Sequence, residues 1–204
     1  MIIRIRRVPT LRTVVRSGLA AFVGLVALEH LLRPDLPPAA RFISEYGRGW
    51  TQPVHVAAFA GWTVAGGGCA ALAGRGRGPR AALAVAAFGI AAAGAVLAAV
   101  FATQTVGGEL PPDVVRTFSG RLHDAGTLLI LGGLLVAAAA TVPLIRTRRY
   151  RLTIAGLAGA LLAVVPVLVA LGLDAPGLGQ RGFVLTGCAF QWAFAVQVPM
   201  AGAQ

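Results

Sequence analysis

Six long apolar stretches, separated by short polar segments, constrain this 204-residue chain more than any other feature. A helix that crosses a bilayer needs about 20 predominantly apolar residues, so about six such helices use up the whole length. We therefore predict an all-α, polytopic membrane helix bundle that forms a single integral membrane domain over residues 1–204. The predicted spans are 17–32, 54–73, 81–103, 122–145, 152–173 and 183–201.

The composition supports a bilayer environment. Hydrophobic residues make up 57% of the chain and charged residues only 12%, whereas soluble domains carry about 25% charged residues. The net charge of +11 comes from 18 basic residues, all of them Arg. No basic surface interleaved with aromatic residues occurs outside the spans, which argues against a nucleic-acid partner. The lipid bilayer is the partner that the sequence predicts.

The arginines are distributed unequally between the two sides of the predicted bundle. Twelve lie on one side, in an Arg-rich tail (1–16) and in the connections near 75–80 and 146–151, and six lie on the other side. Short loops rich in Arg stay in the cytoplasm. The sequence therefore predicts a multi-pass protein of the cell (plasma) membrane with a cytoplasmic tail at 1–16 and with both termini cytoplasmic.

The opposite, outer side carries the acidic residues. All seven Asp and Glu residues fall in its loops or at outward helix ends. Its two loops near 33–53 and 104–121 are also the longest, and functional residues concentrate in elaborated loops. We therefore expect an outward-facing polar pocket. The residues Ser17–Leu28 also resemble the apolar region of a signal peptide with a cleavage site near Pro37–Ala40, which would leave five helices.

Three histidines, each near an outer helix end, are candidate metal ligands: His30, His55 and His123. Imidazole is a common ligand for zinc, copper and haem iron, so a divalent metal is a possible cofactor if the three side chains converge. Haem is the weaker alternative, with His55 and His123 as its axial pair. The spacings match no metal-binding motif, and histidines at a membrane boundary can also simply contact interfacial water.

Two polar segments supply the remaining candidate site residues. Ionisable groups at membrane depth are costly and therefore default to a functional hypothesis, so we predict Glu45, His123 and Asp124 as catalytic acid–base groups. Asp124 is expected to pair with Arg121, three residues away. The expected substrate-binding residues lie in the same two segments as these groups: Ser44, Tyr46, Trp50, Ser119 and Arg121.

The same two segments carry a family resemblance. Phe42-Ile-Ser-Glu-Tyr-Gly47 and Gly120-Arg-Leu-His123 resemble an Ile-Ser-Glu-like motif and a Gly-x-x-His motif of a bacterial family, the domain of unknown function 998. The resemblance implies a bundle of about six helices and a shared site for Glu45 and His123. The chain departs from the family pattern Phe-Pro-x-Asp, since it reads Phe101-Ala-Thr-Gln104 there. That family has no settled activity.

Three classes of function follow from this sequence, and whether the protein is an enzyme stays open. The first is a membrane-embedded enzyme that acts on a lipid or prenyl-type substrate at the outer face. The second is a small transporter or ligand-binding protein that uses the same polar groups to recognise a small molecule. The third is an accessory or structural subunit. Within the spans, Gln191 is expected to bond between helices or to line a polar path.

Overall fold

Seven α-helices make up almost all of the structure, a computed structural model that describes residues 7–145 and 147–198. Within these ranges there is one further 3₁₀ turn, at Gly49–Thr51, and no β-strand. The helices are α1 (Arg7–Leu32), the single-turn α2 (Ile43–Tyr46), α3 (Gln52–Ala73), α4 (Pro79–Val100), α5 (Phe118–Thr141), α6 (Arg148–Ala170) and α7 (Pro176–Gln197).

Four helical segments in the described part of the chain are long and apolar enough to cross a membrane. They are Thr10–Leu32, Gly49–Ala73, Pro79–Val100 and Phe118–Thr141. The all-α prediction is confirmed within the described ranges, and four of the six predicted spans coincide with helices long and apolar enough to cross a membrane, as expected of a membrane protein. Residues 1–6 of the predicted tail, residue 146 of the predicted fourth-to-fifth connection and residues 199–204 lie outside the described ranges.

The first helix begins at Arg7 and so includes much of the predicted Arg-rich tail. Two arginines of this part find partners near the end of α7. Arg12 donates from Nη2 to the carbonyl oxygen of Val198 at 2.6 Å, and the Arg16 guanidinium lies 5.1 Å from the centre of the Trp192 ring. Contacts of this kind let long basic side chains cover apolar surface while the charge stays near water.

Small residues bring the first four long helices into close contact. A Cβ atom at Gly126 of α5 would lie 2.7 Å from the carbonyl oxygen of Gly94 on α4, and one at Gly94 would lie 2.8 Å from the Ile130 nitrogen. A Cβ atom at Gly61 of α3 would similarly lie 2.8 Å from the carbonyl oxygen of Gly18 on α1. Such backbone approaches maximise van der Waals contact between membrane helices.

The bundle has two chemically different ends. We call the end with the connections 33–51, 101–117 and 171–175 the loop end, and the end with the connections 74–78 and 142–147 the turn end. All seven acidic residues lie at the loop end. At the turn end, the Tyr150 and Thr141 hydroxyl groups are buried and lie 2.7 Å apart. Both cysteines, Cys69 and Cys188, are buried and unbridged, as their apolar surroundings predict.

Candidate functional site

A buried carboxylate–imidazole pair lies at the loop end between α1 and α3. His55 Nδ1 is 3.1 Å from Glu29 Oε1, and the two side chains are 3% and 0% exposed. The second oxygen of the carboxylate, Glu29 Oε2, and the second ring nitrogen, His55 Nε2, have no hydrogen-bond partner among the described residues. Burying such groups costs free energy unless they are paired. The pair is therefore a strong candidate for a functional or specificity-determining feature.

Gly47 positions the His55 ring. A Cβ atom at residue 47 would overlap the imidazole, so the chain after α2 can close over the ring only because this residue is glycine. On the other side, the centre of the Phe59 ring lies 4.5 Å from the centre of the imidazole. The sequence therefore fixes the ring between a glycine and a phenylalanine while Glu29 holds Nδ1.

His30 faces a different neighbour, Arg181 on α7. Its Nδ1 lies 2.6 Å from the carbonyl oxygen of Val26, which can only accept a hydrogen bond, so Nδ1 carries the proton. His30 Nε2 then accepts from Arg181 Nη2 at 2.6 Å and Nε at 3.1 Å. The partners thus define a neutral imidazole that serves as a hydrogen-bond acceptor for a guanidinium group.

Arg181 connects α7 to the loop 33–51 of the loop end. Its Nη1 donates to the carbonyl oxygens of Pro38 and Arg41, each at 2.7 Å, and to that of Gly177 at 2.9 Å. Its guanidinium carbon also lies 5.5 Å from the centre of the Tyr46 ring. One arginine therefore joins three elements, and the sequence interpretation gave it no role. An Arg near the start of an otherwise apolar helix is the signal that could have found it.

Tyr46 lies inside this loop rather than at a membrane surface. It is fully buried, its hydroxyl donates to the carbonyl oxygen of Leu36, and its ring centre lies 4.4 Å from that of His30. Burial raises the pKa of Tyr46 above its ordinary value, although the nearby Arg181 charge acts in the opposite direction. Tyr46 is thus a packing residue of the loop end.

The loop 101–117, also at the loop end, is attached to α2 through Glu45. Glu45 Oε1 accepts from the Phe42 nitrogen at 3.0 Å and from the Gly107 nitrogen at 2.8 Å. Its other oxygen, Oε2, pairs with Arg41 Nη1 at 3.3 Å. These contacts satisfy the buried carboxylate, so Glu45 is engaged as the anchor of a loop.

Two further side chains hold the same loop. His123 Nδ1 lies 2.8 Å from the carbonyl oxygen of Phe101 and 3.1 Å from that of Ala98, and it therefore donates to them. Arg48 donates from Nε to the carbonyl oxygen of Thr103 at 3.1 Å and from Nη2 to that of Thr105. Burial lowers the pKa of Arg48. These side chains therefore donate hydrogen bonds to backbone carbonyl groups of a loop that packs on the helix ends.

The structure brings some predicted site residues together and separates others. Glu45 and His123 both hold loop 101–117, although no hydrogen bond joins them within the described ranges. Asp124 pairs with Arg116 from that loop rather than with the expected Arg121, which is exposed. Ser44 is buried beside Glu45 in α2, Ser119 is half-buried, and Trp50 is exposed.

The three histidines do not form one ligand group. His30 faces Arg181, His55 faces Glu29, and His123 faces backbone carbonyls. Across the described residues, no set of three His, Cys, Asp or Glu side chains is placed to hold a metal ion. The histidines lie near the same end of the bundle, but each is directed to a partner of its own.

A family model described as a protein of unknown function (DUF998) matches residues 17–197. The chain belongs to the DUF998 family. Searches of the curated proteins and of the solved structures found no match. The resemblance noted at Phe42–Gly47 and Gly120–His123 is thereby confirmed, while the family itself supplies no activity.

Both motifs that carry the DUF998 resemblance contact loop 101–117. A Cβ atom at Gly108 would lie 2.6 Å from the Phe42 ring, and one at Gly120 would overlap the Gln104 side chain. Gln104 occupies the position at which the resemblance described above leads one to expect Asp. Its Oε1 accepts hydrogen bonds from the Thr117 nitrogen at 2.8 Å and from the Thr117 hydroxyl at 3.1 Å. A carboxylate oxygen at this position could accept the same two hydrogen bonds.

Proposed function

We propose that this DUF998 protein is a six-span membrane protein that binds an anionic, lipid-type amphiphile at its loop end. The helices α6 and α7 contain 23 and 22 residues, which at about 1.5 Å per residue suffices for a hydrocarbon core of about 30 Å. Arginines in the first turn of α6 and in the second turn of α7 reduce the apolar character of these helices. The proposed orientation places the loop end outside and both termini in the cytoplasm, since exposed arginines crowd the turn end.

The single observation that carries the proposal is a groove of about 400 Å³ between α1 and α7. Its walls are apolar and include Val26, Ala27 and Val184, while His30 and Arg181 lie at one end. Val23 and Leu185, on its edges, are 42% and 56% exposed, so the groove opens toward the surface that faces lipid in a bilayer. An apolar channel with a cationic end matches a ligand with a hydrocarbon tail and a negative headgroup.

The charge balance at the loop end favours an anion near Arg181. Arg33 is paired with Asp35 at 2.9 Å, and this hydrogen bond lowers the pKa of Asp35. Arg41 is paired with Glu45, and Arg116 with Asp124. Arg181, by contrast, is held by carbonyl groups, a neutral imidazole and the Tyr46 ring and, like Arg48, has no carboxylate within ion-pair distance in the described ranges. Its charge is therefore available to attract a phosphate or carboxylate.

Ligand binding explains the geometry better than catalysis by the three predicted groups. Glu45, His123 and Asp124 each make hydrogen bonds or an ion pair that hold loop 101–117. One observation favours the second candidate, an enzyme acting on the same lipid or prenyl-type class: Glu29 and His55 form a buried acid–base pair with one unpartnered atom each. Turnover of a bound prenyl phosphate that is lost in Glu29→Gln would support that candidate.

Thermal stability in a neutral detergent tests ligand binding. Phosphatidylglycerol and a prenyl monophosphate should both raise the melting temperature in a saturable manner, because a ligand that binds only the folded state stabilises it. Neutral phosphatidylcholine should not. Response to both anionic probes indicates recognition of the shared headgroup charge, and response to one identifies the preferred tail. Equal stabilisation by phosphatidylcholine would contradict the proposal.

Matched variants locate the site. Arg181→Gln removes the charge, and Ala27→Trp fills the groove without changing any charge; each should weaken binding of the anionic probe at least tenfold. Arg121→Gln and Leu31→Trp are the controls, since both residues are exposed and neither lines the groove. Retained binding in Ala27→Trp, with folding verified, would show that the ligand sits elsewhere.

The orientation is tested by thiol labelling in intact cells. Asp113→Cys places a thiol in loop 101–117 and Arg77→Cys places one in the turn after α3, both at exposed positions. The native cysteines are buried and provide little background. A membrane-impermeant probe should label position 113 and not position 77; the reverse pattern would overturn the orientation while leaving the groove to be tested by itself.

A further inference from the structure

Two complementary polar atoms face a small cavity in the middle of the bundle. The indole Nε1–H of Trp62 on α3 and the side-chain oxygen Oε1 of Gln191 on α7 are both buried and have no hydrogen-bond partner among the described residues. The two side chains are 4% and 2% exposed. Both line the same cavity of about 10 Å³, which is otherwise closed by apolar residues of α4 and α5 such as Ala91 and Ile130.

We propose that this cavity binds one water molecule that bridges Trp62 and Gln191. Its volume is close to the space of about 10–15 Å³ that a single water requires. The water would accept a hydrogen bond from the indole N–H and donate one to the amide oxygen. Leaving both atoms unpaired in an apolar bundle would cost about 1–3 kcal/mol for each group, so one water satisfies both at once.

The water would link α7 to the other helices at a point where direct contacts are few. The same residue, Gln191, also accepts at its backbone oxygen from Cys69 Sγ at 3.9 Å, and the neighbouring Phe190 ring stacks on Phe88 with 5.7 Å between ring centres. Because α7 forms one wall of the α1–α7 groove, the bridge also fixes the position of that wall. The proposal does not depend on the groove binding a ligand.

Replacing Gln191 by the similarly shaped apolar Met gives opposite results with and without the water, whereas Trp62→Phe also removes buried ring volume and costs stability in either case. If the water is bound, Trp62→Phe and Gln191→Met should each destabilise the folded state and raise the equilibrium constant for unfolding by roughly fivefold or more. The double variant should then lose little more than Trp62→Phe alone, since the water is shared. If the atoms are bare, Gln191→Met removes an unsatisfied polar group and should stabilise the protein. Stabilisation, or fully additive losses, would overturn the proposal.

The fluorescence of Trp62 supplies a readout that a purely structural effect would not mimic. In a Trp50→Phe and Trp192→Phe background, Trp62 is the sole tryptophan, and both replaced rings are exposed. Gln191→Met should shift its emission to shorter wavelength, because the indole N–H loses its polar partner. The matched control Thr186→Val changes a hydroxyl group of α7 that bonds within its own helix, to Gly182, and should leave the emission unchanged. An emission unaffected by Gln191→Met would contradict a bridging water.

Discussion

The two ends of the bundle use their charged residues in opposite ways. At the loop end, Glu29, Glu45 and His55 are buried and bonded to protein groups, and the two long loops are joined to each other. At the turn end, short connections expose Arg75, Arg77 and Arg80 to solvent. Charge at the loop end therefore supports a defined three-dimensional arrangement, whereas charge at the turn end is exposed and, under the orientation proposed above, serves to keep that end in the cytoplasm.

The largest effect should come from breaking the Glu29–His55 pair. We expect Glu29→Leu to cost about 3–5 kcal/mol in the free energy of unfolding, because it leaves His55 buried beside an apolar group. The double variant Glu29→Leu/His55→Leu should cost less than the single one, since neither polar group then remains unpaired. Denaturant titration in mild detergent measures both, and Glu109→Gln, an exposed position, is the control. A double variant as damaged as the sum of the singles would contradict this account.

The next effect should follow from releasing loop 101–117. Glu45→Ala removes the acceptor of the Phe42 and Gly107 nitrogens and the partner of Arg41, which should cost about 2–3 kcal/mol. Limited proteolysis should then cut the loop faster. Glu45→Gln keeps one acceptor oxygen and should give an intermediate rate; cleavage at the wild-type rate in Glu45→Ala would show that the loop is held by other contacts.

Helix packing offers a comparison between adjacent glycines of α5. A side chain at Gly133 would meet the carbonyl oxygen of Ala87 at 2.7 Å, whereas nothing lies within 4 Å of a Cβ atom at Gly132. Gly133→Leu should therefore cost about 1–3 kcal/mol through overpacking, while Gly132→Leu faces outward and should be near neutral. Melting temperatures of the two variants test this directly, and equal values would contradict the close approach of α4 and α5.

The helices were predictable from sequence because the length of an apolar stretch is a local property. All six predicted stretches overlap long helices, but the boundaries differ where side chains find distant partners. The first helix extends back to Arg7 because Arg12 and Arg16 contact α7. The Thr117 side chain, which accepts from the Gly120 nitrogen, sets the start of α5.

The site was less predictable, since its pairings cross between helices. Spacing suggested Arg121 as the partner of Asp124, yet Arg116 approaches from the folded-back loop. Three histidines at one depth suggested a metal ligand group, but the direction of each ring depends on tertiary partners such as Glu29 and Arg181. Sequence identified which residue types gather at this end, and only the fold determines which of them meet.

Because Tyr46 is buried at the loop end, we expect the stability of the protein to depend on pH. Burial raises its pKa in the folded state, so the unfolded chain releases the phenolic proton at lower pH than the folded protein. Stability is therefore complete below the ordinary tyrosine pKa of about 10 and falls as pH rises above it. Melting temperatures between pH 8 and pH 11 should decline less steeply in Tyr46→Phe. The other tyrosine, Tyr150, contributes equally to both proteins, so the difference between the slopes isolates Tyr46.

The smallest effect on stability should come from the arginines of the turn end. Arg75→Gln, Arg77→Gln and Arg80→Gln each change an exposed side chain and should lie within about 0.5 kcal/mol of wild type. The same change at the loop end, Arg48→Gln, removes two hydrogen bonds to loop carbonyls and should cost about 1.5–3 kcal/mol.

The same arginine variants separate stability from orientation. In an Asp113→Cys background, the triple Gln variant should leave the melting temperature almost unchanged while decreasing the fraction of molecules that an impermeant thiol probe labels at position 113 from outside, because short cytoplasmic loops orient the chain through their positive charge. Arg48→Gln should show the opposite pattern, with a lower melting temperature and no inverted molecules. If the triple variant instead unfolds readily and keeps its orientation, the arginines of the turn end hold the fold together, and the contrast between the two ends is wrong.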